Sequence, residues 1–268
     1  MFHANAKILV AVSGGRDSLV LWSSLLELGY DASGIFINLG IEPNSDIAED
    51  KVKQFAKENN AQLHIVDVKD YLGATIPEVN KIVKKPICSV CGMVRRYILN
   101  SEAKRLGYSV LATGHNLDDE AATLLGNTLH WYEGYLKRQY PTLEEEQGFV
   151  RKVKPLVLCS EKETLAYAVI RQIDFDSERC PFSRGATSQF YKHILNLIEH
   201  DMPGTKQNFL CEFFRKMSGN IYNSSEKDKL TPCEICGYPT SAGRKCSFCR
   251  LKEQIGSETY MSLLEKVV

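Results

Sequence analysis

Residues 7–29, KILVAVSGGRDSLVLWSSLLELG, decide the fold. KILVAV is a short apolar run of strand-forming residues, and SLVLWSSLLEL carries apolar residues at helical spacing as far as Gly29. Between them SGGRDS turns the chain, so the stretch predicts a strand, a glycine turn and a helix. In that arrangement the free backbone N–H groups and the helix dipole point at one spot, which suits an anion. Gly14 and Gly15 let backbone approach phosphate oxygens without a Cβ in the way. The hydroxyls of Ser13 and Ser18 add donors, and Asp17 is placed to help hold Mg²⁺. A lone SGG serves equally as an ordinary strand-to-helix turn. Neither G-x-x-x-x-G-K-S/T nor G-x-G-x-x-G occurs in the chain.

Outward from this turn the alternation continues. ASGIFIN (32–38) predicts a second strand, Asn44 or Ser45 is placed to cap a helix over 46–58, and QLHIVDV (62–68) predicts a third strand. A helix from Cys88 to about Gly107, a strand at SVLATG (109–114) and a helix beginning near LDDEAATLLGN (117–127) follow. Such alternation implies an α/β fold, a doubly wound parallel sheet with ligands at the carboxyl ends of its strands. After Trp131 the period fades, and 131–148 reads as an insertion or flexible loop. Helices are expected over 161–173, 187–201 and 203–217, with Pro203 near a helix start. Residues 218–232 read as a polar linker to a cysteine-rich unit. The expected division is a main domain over 1–220 and a small module over 221–268.

The bulk numbers bound the function. The 268 residues carry 33 Lys+Arg against 33 Asp+Glu, so the molecule as a whole exerts no long-range pull on nucleic acid and any basic surface is local. The first apolar run is too short to span a bilayer, and the start lacks a signal peptide's pattern, which implies a cytoplasmic protein without membrane attachment. Six of the nine cysteines fall into three Cys-x-x-Cys pairs, and in a reducing compartment these point to metal or redox chemistry. Cys233, Cys236, Cys246 and Cys249, with glycines at 237 and 243, have the spacing of a closed, structural Zn²⁺ site. Cys88-x-x-Cys91 opens a helix whose dipole favours thiolates. By itself that pair fits a redox dithiol, half of a metal site, or two packed small residues. Cys159 and Cys211 sit in apolar surroundings and read as packing residues.

SGGRDS resembles the signature of the PP-loop ATP pyrophosphatase family, the adenine nucleotide alpha hydrolase-like fold, whose members split ATP between the α and β phosphates and form an adenylate. FINLGI (36–41) and TGHNLDDEA (113–121) extend the resemblance. It implies that Phe36 and Asn38 cradle adenine, that Gly114 and His115 contact the nucleotide, and that Asp119 holds Mg²⁺ or positions substrate near the α phosphate. For Asp118 and Asp119 a plain helix-dipole role stays open. ERCPFSRGATSQ, with Cys180 opening a further helix, is similar to an element of the TtcA/TtuA group of tRNA sulfurtransferases. In that group a Cys-x-x-Cys and one distant cysteine hold a [4Fe-4S] cluster, which implies Cys88, Cys91 and Cys180 here, with one iron open to sulfide. The C-terminal CGYPTSAGRKC, KPL (154–156) and PGTK (203–206) also match the TtuA-like branch. In two respects the chain departs from that branch. It begins almost directly at the first strand, where relatives carry an N-terminal zinc finger, and it has Arg95 where the pattern suggests lysine. Arginine keeps its proton at cellular pH, so acid–base work is excluded at that position.

The resemblance implies an ATP-dependent sulfurtransferase that adenylates a nucleobase carbonyl in tRNA and replaces its oxygen with sulfur. The sulfur donor is sulfide or a sulfur-carrier protein, and a homodimer stays open. Rival readings keep the same chemistry on a small-molecule or protein acceptor, use a cluster-free persulfide, or make the chain a non-catalytic ATP- or redox-sensing scaffold. Residues 81–105 carry Lys81, Lys84, Lys85, Arg95, Arg96, Lys104 and Arg105 against Glu102 alone. They form a candidate RNA patch that Arg244 and Lys245 extend, or else a solvated helix face.

Overall fold

A computed structural model describes residues 1–146, 148–178, 180–183, 187–217 and 230–265, the side chains of 257–265 excepted. The element order is β1 (Ile8–Val12), α1 (Arg16–Glu27), β2 (Ala32–Asn38), α2 (Asn44–Glu58), β3 (Leu63–Asp67), α3 (Val68–Leu72), α4 (Ile76–Ile82), α5 (Ile87–Arg105), β4 (Val110–Thr113) and α6 (Leu117–Leu129). Then come α7 (Glu133–Leu136), β5 (Thr142–Leu143), β6 (Arg151–Val153), α8 (Glu161–Ile170), α9 (Thr187–Asp201), α10 (Thr205–Met217), β7 (Thr231–Pro232), β8 (Pro239–Thr240) and α11 (Ser247–Glu265).

The main sheet has the order β3-β2-β1-β4-β6-β5, parallel except for β5. Chain order reverses between β1 and β4, and an open parallel sheet opens a crevice at such a point. Side chains alternate between two cores. Ile8, Val10, Val12, Phe36, Val110 and Ala112 face α1, α2 and α8, whereas Leu9, Ile35, Ile37 and Leu111 face α3, α4 and α5. Trp22 of α1 is fully buried and donates from Nε1 to the Ala32 carbonyl at 3.0 Å. A Cβ on Gly34 would lie 2.6 Å from its ring, so this contact requires glycine.

Several expectations need correction. Neither Asn44 nor Ser45 caps α2: the helix begins at Asn44 after Pro43, and Ser45 Oγ accepts from the Ile41 N–H at 2.9 Å. The stretch after Trp131 is no formless loop, since α7 packs on α6 and the antiparallel β5 finishes the sheet edge. Two-residue strands leave too little alternation to read. After Cys180 comes a 3₁₀ turn, Pro181–Ser183, and α9 starts only at Thr187. Most of the linker expected at 218–232, and with it the domain boundary, lies outside the described residues. The described buried residues of the cysteine-rich unit, Cys233, Cys246, Phe248, Cys249, Leu251 and Ile255, belong to the same cluster as α5 and Leu9. Among the described residues no helix is long and apolar enough to cross a membrane.

Candidate active site

The glycine turn is closed from within. Ser18 is buried, its Oγ donates to the Gly15 carbonyl at 2.8 Å, and the Ser13 N–H donates back to that Oγ at 3.1 Å. Gly14 has φ +81°, and a Cβ there would lie 2.8 Å from the Ala48 side chain. Gly15 is the residue before α1, with no side-chain cap on the helix, so the first N–H groups of α1 have no side-chain partner of that kind. A Cβ on Gly114 would meet the Asp17 backbone at 2.9 Å, so the loop after β4 presses directly on the first turn of α1.

A cavity of about 210 Å³ opens at the carboxyl ends of β1 and β2, lined by Ser13, Gly15, Phe36 and Ile37 among others, with Arg95 and Cys180 also in its wall. The segment before Cys180 lies against the turn, and the Asp176 N–H donates to the Gly14 carbonyl at 2.9 Å. Asn44 Nδ2 holds Glu178 at 3.2 Å, and Lys51 pairs with Asp174 at 2.5 Å. Asp176 and Glu178 therefore line the cavity, which sequence reasoning missed. Their available signal was position: both stand within four residues of Cys180.

Asn38, Asp17 and His115, also expected at the nucleotide, are not among the residues that line this cavity. Asn38 donates to Glu49 at 2.7 Å and accepts from the Gly40 N–H at 2.9 Å, shaping the bend after β2. Asp17 accepts from Thr164 Oγ1 at 2.6 Å and from Arg16 Nε at 3.0 Å, which turns its carboxylate toward α8. His115 bonds Thr113 Oγ1 through Nδ1 at 2.9 Å. Water reaches its ring, but the surrounding walls crowd it, and that desolvation holds its pKa below the ordinary value.

The two neighbouring aspartates differ. Asp118 is buried, pairs with Lys206, and accepts from the Glu161 N–H at 2.8 Å. Asp119 reaches solvent. One of its oxygens takes part in a capping box with Asn116, and the other meets Lys192 at 2.6 Å. Lys192 and Lys206 come from α9 and α10. Lys206 stands in the PGTK stretch, while Lys192 carries no sequence mark.

Cys88 and Cys91 lie in the first turns of α5, and Cys88 Sγ approaches the Phe182 carbonyl at 3.1 Å, bringing the Cys180 turn alongside. Burial pushes the Cys91 thiol up, Arg95 opposes that, and the thiols of Cys180 and Cys88 are close enough to act on it. Helix position alone does not make Cys91 acidic. Cys233, Cys236, Cys246 and Cys249 place all their sulfurs within 4.8 Å of one another. The Cys236–Cys246 separation is 3.7 Å, which matches the roughly 3.8 Å edge that metal–sulfur bonds of about 2.3 Å impose on a tetrahedron. Burial alone would raise the Cys233 thiol, but N–H groups of Cys246, Cys236 and Ile235 bring it down to about 6. Cys159 and Cys211 are partly buried, and Cys159 packs on the α1/α8 core.

The profile of the PP-loop domain matches residues 3–180. The tRNA-5-methyluridine(54) 2-sulfurtransferase of Thermotoga maritima is 45% identical over 257 residues, covering 95% of this chain and 83% of that protein. The Thermus thermophilus protein of the same name is 45% identical, covering 95% and 79%. Among solved structures, the U34-tRNA thiolase NcsA from Methanococcus maripaludis with its [4Fe-4S] cluster aligns at TM-score 0.79 and 29% identity, over 93% of this chain and 80% of that one. With a glycine turn at the sheet's crevice, a cysteine in the same cavity wall and matches across almost its whole length, the chain belongs to the PP-loop family, in its group of tRNA 2-thiolation sulfurtransferases.

Proposed function

We propose that this chain is a cytoplasmic, ATP-dependent tRNA sulfurtransferase that converts a uridine C2 carbonyl to a thiocarbonyl. The observation that carries this reading is the shared cavity: Ser13 and Gly15 line it together with Arg95 and Cys180. An adenylating site and a thiol site with a common wall suit a reaction in which one carbon is first activated and then attacked. ATP binds with its phosphates on the N–H groups of the glycine turn and its base against Phe36. The carbonyl oxygen takes AMP and releases pyrophosphate; sulfur then bonds the same carbon, and AMP leaves with the oxygen. Asp119 and Asp17 organise Mg²⁺, each exchanging part of its present bonding for the ion. Arg95 stays cationic and serves charge, binding phosphate rather than moving protons.

Cys88, Cys91 and Cys180 would hold a [4Fe-4S] cluster, and their chemistry suits it: three thiols, with Cys88 and Cys180 both near enough to act on Cys91, beside the Arg95 cation. Bound by three thiolates, such a cluster supplies a site for sulfur delivery next to the activated carbon. Sulfide or a sulfur-carrier protein is the donor. The C-terminal Cys₄ site would hold Zn²⁺ as a closed structural ion. The 45% identity to proteins named for position 54 favours that uridine as the target.

Anaerobically reconstituted protein, given ATP, Mg²⁺, sulfide and a tRNA transcript, is expected to yield AMP, pyrophosphate and 2-thiouridine in digests. Asp119→Asn and Cys180→Ala are expected to lose the thionucleoside. Pyrophosphate release indifferent to tRNA, with no thionucleoside formed, would overturn the reading.

A further inference from the structure

Three of the cations in the basic patch that the sequence suggests are paired within the chain. Arg105 is held by Glu102, Arg244 by Glu234 at 3.0 Å and Lys245 by Glu253 at 2.6 Å. Those cations are neutralised within the chain. Arg96 and Lys104 of α5 and Lys152 of β6 have no acidic partner among the described residues. Of the acids on the turn before Gly148, Glu144 is occupied by Arg151 at 3.0 Å.

These three cations lie around the seam where the 148–150 turn joins α5, with Asn100 donating to the Gly148 carbonyl at 3.4 Å and accepting from the Val150 N–H at 3.0 Å, beside the Cys₄ module. The Arg96 guanidinium reaches back over Gly92, where a Cβ would lie 3.3 Å from its Nη1, and its charge acts on Cys91, Lys152 and Tyr238. Lys152 is half-buried, and its ammonium sits 5.4 Å from the centre of the Phe149 ring. Lys104 Nζ lies 3.6 Å from where a Cβ on Gly148 would stand, and Pro239 of the Cys₄ module lies 3.1 Å from the same point. Phe149 packs edge-on against Tyr238 at 5.3 Å, and Tyr238 lies 4.7 Å from Tyr97. Aromatic rings thus pack beside Lys152 along this seam. Arg96 and Lys104 are eight residues apart on one helix, about 12 Å at 1.5 Å per residue.

Lys152 is half-buried beside the exposed Arg96 guanidinium, so its charge loses hydration and meets a like charge, which the free protein maintains at a cost. Burial, with Arg96 beside it, brings the Lys152 amine down to about 8. An anion bound beside Lys152 and Arg96 relieves both effects. A single carboxylate would satisfy one cation, whereas a row about 12 Å long suits a polyanion with regularly spaced charges.

Resting on the tRNA reading above, we infer that Arg96, Lys152 and Lys104 form a phosphate rail for the RNA backbone, leading from the thiols of α5 to the Cys₄ module. The rail positions RNA and carries no base information, as backbone contacts in general do.

Anisotropy of a labelled tRNA transcript titrated with the full chain at several KCl concentrations tests this. Arg96→Gln and Lys152→Gln are each expected to lower the slope of log affinity on log salt by about one and the double variant by about two, weakening unrelated RNA sequences equally. Arg96→Lys/Lys152→Arg is expected to keep the wild-type slope, Lys57→Gln to change nothing, and ATP affinity to stay at the wild-type value throughout. In the wild-type protein, bound tRNA is expected to shield Lys104 and Lys152 from acetylation, a readout that needs no variant. A double variant with wild-type affinity and slope, or amines acetylated equally with and without RNA, overturns the rail while leaving the thiolation reading intact. A wild-type chain that turns over ATP but binds no tRNA removes the thiolation reading itself.

Discussion

Asp118 and Asp119 adjoin in sequence and do opposite things. Burial raises the Asp118 carboxyl, but Lys206, the Glu161 N–H and Lys192 outweigh it and hold its pKa below the ordinary 3.8. A lowered folded-state value means that the unfolded chain binds the proton more readily, so this group's stabilisation is complete above about pH 4 and is lost as pH falls through the folded value. Asp118→Asn leaves the Lys206 ammonium buried without its partner and is expected to cost about 3–5 kcal/mol in urea unfolding at pH 7. It should also flatten the acid limb of the stability profile. Asp119→Asn is expected to stay within about 1 kcal/mol of wild type, since a solvent-reaching pair contributes little, while pyrophosphate formation falls away. Lys152 shows the opposite sign. Its folded value of about 8 lies below the ordinary 10.5, so its charge opposes folding at neutral pH, and stability from this group rises between pH 8 and 10.5. Lys152→Met is therefore expected to stabilise the free protein most at pH 8 or below, with the gain vanishing above pH 10.5; denaturant midpoints along that range check it.

Among the elements, the contact of α1 with β2 sets the depth of the nucleotide crevice, because the helix that starts at the glycine turn is keyed by Trp22 over Gly34. A methyl group at Gly34 would lie 2.6 Å from the indole. Gly34→Ala is thus expected to destabilise by about 1–3 kcal/mol through overpacking and to weaken ATP binding, as calorimetry with and without nucleotide would show. The elements legible in sequence are those with room for a period. β1, α1, β2 and α5 carry enough apolar residues to show alternation or a helical stripe, and α5 runs over Ile87–Arg105 where a helix from Cys88 to Gly107 was expected. α7 and β5 span four and two residues, and their places, against α6 and at the sheet edge, come from tertiary contacts that no local period encodes. The same limit governs the site. Ser13, Gly15 and Phe36 were marked by their motifs and do line the cavity, whereas Asp176, Glu178 and Lys192 arrive from distant segments whose local sequence resembles any polar loop or helix face.

Across the whole molecule, the Cys₄ module and the thiol site share a beam. α5 carries Cys88 and Cys91 at its start, and Tyr97 three turns on, whose ring stacks on Phe248 of the module at 3.8 Å and 3°. Burial, and then a hydrogen bond to the Cys236 thiol, push the Tyr97 hydroxyl far above its usual range, which fits a donor held in place toward a metal-ligand sulfur. Because Phe248, Leu251 and Ile255 belong to the core on α5, the module cannot loosen without exposing that face of the helix. A metal held by the four thiols would therefore contribute to the stability of α5 as well as to its own loop. Cys246→Ser, which removes one ligand, is expected to speed amide exchange along residues 94–105, lower the melting temperature by several degrees, and reduce iron retained by Cys88, Cys91 and Cys180 during anaerobic reconstitution. Exchange in α1 and α2 should barely change, since the sheet separates them from the module. Accelerated exchange confined to residues 231–256, with iron content at the wild-type level, would show that the module folds by itself and that α5 stands without it.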